Sequence, residues 1–180
     1  MASEPFIRDL LRRESRGVLD YFGRRAARDE AEDLLGETLL VVWRRAATIP
    51  DDETRARMWM YGVARKVLAG HRRSLGRRAA LTDKLREQIV VTPASTDDAT
   101  DEVRGRIAAL PEIDREILML VYWDGFSLVE AAAILGMRDT SVRTRHARAK
   151  ASLRASLADQ GMPTPRRAPT SRVRRVAPDS

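Results

Sequence analysis

The chain contains no cysteine in 180 residues. That absence excludes a disulfide framework, a thiolate zinc site and a thiol nucleophile. Histidine is scarce too: His71 and His146 stand alone and far apart, which argues against a histidine metal centre or a triad. Aromatic residues make up only 5%, and lysine is nearly missing, since Lys66, Lys84 and Lys150 are the three lysines among 33 basic residues. No long apolar run occurs. The longest, residues 117–123, is far short of the ~20 residues needed to cross a bilayer. The N-terminus shows no signal-peptide core, so a cytoplasmic protein without membrane contact is expected. There is no glycine-rich phosphate loop, and the carboxylates follow helical surfaces instead of converging. An enzyme is not expected, and no cofactor or metal is implied.

What is present is arginine, unevenly spread. The formal net charge of +7 conceals a strong alternation. Residues 61–86 carry +7, residues 87–138 carry −6, and residues 139–160 and 161–180 carry +3 and +4. A charge that served only solubility would be scattered. Clusters set in helical segments point to a polyanion that meets the chain at several places.

Strand signals are nearly absent and no internal repeat is visible. Helical periodicity runs from Pro5 to about Arg73. It is carried first by Phe6, Leu10, Leu11, Val18, Leu19 and Phe22, then by Leu34, Leu35, Thr38, Leu39, Val42 and Trp43. Asp29 with Glu32 three residues on reads as a capping box for the second of these helices, and Pro50 ends it. A third helix from about Glu53 places Met58, Tyr61, Val63, Ala64, Val67 and Leu68 inward. Residues 74–100 lose the pattern, apart from a short possible helix near 81–89, and read as a flexible linker. Periodicity returns from Asp101 to about Leu157. The last twenty residues, with four prolines and five arginines, read as a basic disordered tail. The expected fold is all-α: a helical bundle over 1–73, a linker over 74–100, a second helical domain over 101–160 and a tail over 161–180.

The second domain carries the sharpest motif. Ser127 and Glu130 form an S-x-x-E capping box, Ala131 is small where a second helix must pack close, and Gly136 suits a sharp turn. Asp139 can cap a second helix whose inner stripe is Val142, His146, Ala149 and Leu153. Its other face carries Arg143, Thr144, Ala147 and Arg148, with Arg145 and Lys150 beside them. This is a helix-turn-helix, and arginines on an exposed helix suit guanine edges in a major groove.

Two segments together resemble a known family, the extracytoplasmic-function (ECF) sigma factors of bacterial RNA polymerase. One is AEDLLGETLLVVW at 31–43 followed by MWMYGVAR at 58–65. The other is ALPE at 109–112 and LMLVYWDGFS at 118–127, leading into the helix-turn-helix. The resemblance implies a promoter-specificity subunit that brings core polymerase to the −10 and −35 elements and helps melt the DNA. It implies that the helix spanning 33–43 docks on the β′ clamp coiled coil through Asp33, Leu34 and Glu37, and that the linker threads toward the active site, with further contact to the β subunit. The third helix and its basic end, with Trp59, Arg65, Lys66, His71, Arg72 and Arg73, are the expected −10 surface, and the loop over 47–55 its base pocket. Trp43 and Trp59 read first as core and second as stacking platforms. For the −35 element the resemblance implies base-facing Arg143, Thr144, Ala147 and Arg148, with Arg138, Ser141, Arg145 and Lys150 on phosphates. An anti-sigma factor is an implied partner. The chain departs from the family pattern at Gly36, Lys66, His146 and Ala147. The competing reading is a free-standing helix-turn-helix regulator that binds duplex DNA as a dimer.

Overall fold

The computed structural model describes residues 3–27, 29–83 and 105–158; the linker from residue 84 on, with most of the possible short helix near 81–89, and the C-terminal tail lie outside them. Helix α1 spans Glu4–Gly23, α2 Glu30–Arg44 and α3 Glu53–Asp83. The second domain holds a short helical turn over 105–108 and then α4, Glu112–Tyr122, α5, Leu128–Leu135, and α6, Asp139–Ala158. The fold is all-α, with two small helical domains.

Local chemistry explains most of the boundaries. Ser3 caps α1 by accepting the Phe6 N–H, and Pro5 sits in the first turn, where its missing donor costs nothing. α2 begins differently from the sequence expectation. Asp29 makes no capping hydrogen bond and already has helical backbone angles; the Glu30 carboxylate instead accepts the Ala27 N–H at 3.2 Å. Three acidic residues in the first turn of α2 still oppose the helix dipole favourably. Asp52 caps α3 through the Arg55 N–H at 2.8 Å. α3 runs on for ten residues beyond Arg73, where the sequence loses its apolar stripe but keeps good helix formers such as Leu75, Arg77 and Arg78.

α1, α2 and α3 pack pairwise around Leu10, Val18, Phe22, Leu34, Val42 and Met60, all buried. Thr38 is buried among them because its hydroxyl is satisfied by the Leu34 carbonyl at 2.8 Å. In the second domain α4, α5 and α6 pack pairwise, closed by Ile117, Leu120, Ala131, Val142 and Ala149.

The domains meet across a built seam, in which α3 packs on α5. Phe126 meets Tyr61 edge-on at 4.7 Å, and Tyr61 in turn meets Tyr21 at 5.7 Å. The Arg57 guanidinium lies 4.1 Å over the Phe126 ring and donates to the Asp124 carbonyl at 2.7 Å. Arg25, from the turn after α1, donates to Asp124 Oδ2 at 2.7 Å and to Glu116 Oε2 at 2.9 Å, while Arg24 takes Asp124 Oδ1. The side chains of Arg25 and Asp124 are 2% and 0% exposed, so the charges are buried as partners. Burial pulls the Arg25 pKa down, but Glu116, Tyr21 and Asp124 outweigh it and the net shift is upward. The expectation that carboxylates merely follow helical surfaces is therefore corrected at Asp124 and at Asp114, both buried against arginines.

Candidate nucleic-acid interface

The amphipathic pattern of α2 leaves one face outside the core. Asp33, Gly36, Glu37, Leu40 and Trp43 share one side of the helix at i, i+3, i+4, i+7 and i+10 and are exposed, Leu40 at 57% and Trp43 at 49%. The face thus combines two carboxylates with an exposed apolar end. Leu34 does not belong to it: at 2% exposure it points into the bundle, and its role is to hold the helix. Trp43 reverses the first reading of it as core, because one helical turn beyond Leu39 the stripe has rotated outward.

Arg65, Lys66, Arg72 and Arg73 come together from successive turns of α3. They line one wall of a cavity of about 660 Å³, and Glu112 and Glu116 of α4 line the other. Arg72 is engaged there, donating to Glu112 at 2.7 Å and to the Arg25 carbonyl at 3.0 Å. His71 points elsewhere, with Nε2 3.0 Å from a Glu30 oxygen on the α2 side. Trp59 lies apart as well, half-buried on the bundle. The segment 47–55 is not an open loop: it holds a 3-10 turn, Ala46–Thr48, and the buried Ile49, before the Asp52 cap.

In the second domain the capping box forms as the spacing predicts. The Ser127 hydroxyl accepts the Glu130 N–H at 3.2 Å, and the Glu130 carboxylate accepts the Ser127 N–H at 2.7 Å. Gly136 sits at φ +65, a left-handed conformation that side chains rarely adopt, and it turns the chain into α6. Asp139 is not the cap. It is the first residue of α6, and its carboxylate takes the Arg143 guanidinium at 2.8 Å.

On α6, Val142 and Ala149 face inward, and Arg143, Thr144, Ala147 and Arg148 are exposed together. Arg138 is exposed in the turn, whereas Ser141, Arg145 and Lys150 are half-buried. The Thr144 hydroxyl donates to the Thr140 carbonyl at 2.9 Å. His146 is half-buried and stacks on Tyr122, with centroids 5.7 Å apart and Tyr122 Oη 3.2 Å from Nε2. Burial and then the charge of Lys150 lower its pKa from the ordinary histidine value.

The sequence did not reveal Asp114. It sits in the first turn of α4, and its side chain is 3% exposed. One carboxylate oxygen takes Arg145 at 2.9 Å and the other takes Arg148 at 3.3 Å. No sequence signal joins it to arginines 31 and 34 positions away.

Among the described residues no group of His, Asp or Glu could hold a metal ion, and no helix is long and apolar enough to cross a membrane. Comparison with known proteins bears directly on the helix-turn-helix. Residues 100–153 match the family model for sigma-70, region 4. The chain is 30% identical to the ECF RNA polymerase sigma factor SigL of Mycobacterium tuberculosis, over 89% of this chain and 94% of that protein. It is 35% identical to the ECF sigma factor SigC of the same species, over 69% of each. In fold it resembles the sigma factor RpoE of Bartonella quintana, solved with the anti-sigma factor NepR, with a TM-score of 0.62 and 23% identity over 84% of this chain and 93% of that one. A kinship at this identity that spans both helical domains settles the family: the chain belongs to the ECF RNA polymerase sigma factors.

Proposed function

We propose that this sigma factor divides its work between its domains, residues 1–73 serving the −10 element and core polymerase and residues 101–160 the −35 element. The observation that carries the division is the separation of two cationic surfaces, one on α3 and one on α6, from the acidic and apolar face of α2. Arginines and a lysine gathered on α3 suit a phosphate backbone and an unstacked base, with Arg65, Lys66, Arg72 and Arg73 as the gathered set. The exposed side of α6 suits a major groove. Asp33 and Glu37, with Leu40 and Trp43 beside them, suit a protein partner: apolar contact supplies area, and the two carboxylates choose a basic counterpart. On this reading the partner is the polymerase β′ coiled coil, the site of action is the cytoplasm, and the chain carries no catalysis of its own. The RpoE structure with NepR supports an anti-sigma factor as a further partner. A free-standing dimeric regulator leaves the α2 face without a purpose.

Mixing the protein with bacterial core polymerase tests the reading. Co-elution on size exclusion is expected for the natural chain, and its loss for the double variant Asp33→Arg, Glu37→Arg. Run-off transcription from a promoter fragment should follow the same pattern. Failure of the natural chain to bind core would overturn the proposal.

A further inference from the structure

We infer that Asp114 is a positioning residue for promoter recognition, a buried carboxylate that sets the geometry of two arginines on the recognition helix. The inference rests on α6 reading the −35 element. Asp114 lies on α4, not on the recognition helix, and at 3% exposure it is too buried to meet DNA itself. Its carboxylate is nearly inaccessible, yet each of its oxygens holds a different guanidinium of α6, Arg145 at 2.9 Å and Arg148 at 3.3 Å. The two arginines differ in what the anchor leaves outside. Arg145 is 37% exposed, and Arg148 remains 65% exposed although one end of its fork is held.

Three physical consequences follow. A free arginine gives up much rotamer freedom when it docks on a base or a phosphate, and a tethered one has already given it up. The planar fork, held at one end, presents its remaining donors in a fixed plane, as two-pronged pairing to guanine requires. The anchor's negative charge also offsets part of the positive charge near the groove, which weakens attraction to phosphates of any sequence. Asp114 therefore gives up some general affinity and raises discrimination. Arg143 is held quite differently, by Asp139 on its own helix with both partners exposed to solvent, so that pair is weak and leaves the side chain loosely placed. Asp124, which serves the seam, also holds two arginines, but those are 29% and 2% exposed; Asp114 reaches a guanidinium left 65% exposed on the groove-facing side.

The test uses the full chain bound to bacterial core polymerase and a pool of promoter fragments randomised across the −35 segment. The natural holoenzyme should enrich a defined motif over random duplex. With Asp114→Asn, which keeps shape and removes charge, binding to core should be unchanged and binding to random duplex equal or tighter. The ratio of selected to random binding should fall about tenfold, the scale of one good two-pronged base contact. Asp114→Glu should recover most of the ratio, a rescue that a purely steric role would not give. A ratio for Asp114→Asn within twofold of natural overturns the inference. A natural holoenzyme that enriches no motif overturns the −35 reading beneath it, and the inference with it. Should the Asn variant not fold, side-chain relaxation in the natural protein decides. The Nε–H vectors of Arg145 and Arg148 are expected to be clearly more ordered than that of exposed Arg154, and equal mobility overturns the inference.

Discussion

Two glycines separate space from propensity. A Cβ on Gly17 would lie 2.5 Å from the hydroxyl oxygen of buried Tyr61, whereas one on Gly36 would meet nothing within 4 Å. Gly17→Ala should therefore cost about 1–3 kcal/mol by overpacking, and Gly36→Ala should gain about 0.5–1 kcal/mol by relieving helix entropy. Thermal unfolding followed by circular dichroism checks both, with opposite shifts expected. Tyrosine supplies the pH dependence. Burial first, and then Glu116, raises the Tyr21 pKa, and burial raises that of Tyr61 against the opposing charge of Arg57. The unfolded chain loses these protons near pH 10 and the folded one does not, so their contribution to stability is whole below pH 10 and declines as pH rises above it. Urea unfolding at pH 8 and 11 should show the loss, and Tyr21→Phe should flatten it. At this scale the sequence told inward from outward wherever the apolar stripe was clean, as at Leu10, Val18 and Val42. It misplaced Trp43, whose position on the stripe does not say which way the helix has rotated, and it could not see Asp114, whose partners are distant in the chain.

Among the helices, the start of α5 was legible because its cap is local chemistry: four consecutive residues contain both partners of both hydrogen bonds. Ser127→Ala is expected to cost about 1 kcal/mol, read as a lowered unfolding midpoint in urea with an unchanged slope. The start of α2 shows the limit of the same rule, since Asp29 has the right neighbours but the wrong backbone angles. The end of α3 was illegible for another reason. Periodicity reports a buried face, and past Arg73 the helix continues with Leu75 exposed, carried by residues of good helix propensity.

For the whole molecule, fold class and the two-domain order could be read from the chain, but the packing of the halves could not, because charged residues in a seam look like any solvated charge. Arg25, Glu116 and Asp124 join the halves across 91 and 99 positions. With both sides of the seam in one continuous core, heat should unfold the described helices in a single transition. Asp124→Asn leaves buried arginine charge poorly compensated and should cost about 3 kcal/mol, with a larger radius of gyration by small-angle scattering as the halves loosen.

The seam also bears on how this sequence can drift. Asp124 gives its carboxylate to Arg24 and Arg25 and its carbonyl to Arg57, so no single replacement at positions 25 or 124 leaves the remainder satisfied. Neutral change there must come in pairs. In an alignment of near relatives these two positions should be gained and lost together, even where the surrounding helices have diverged.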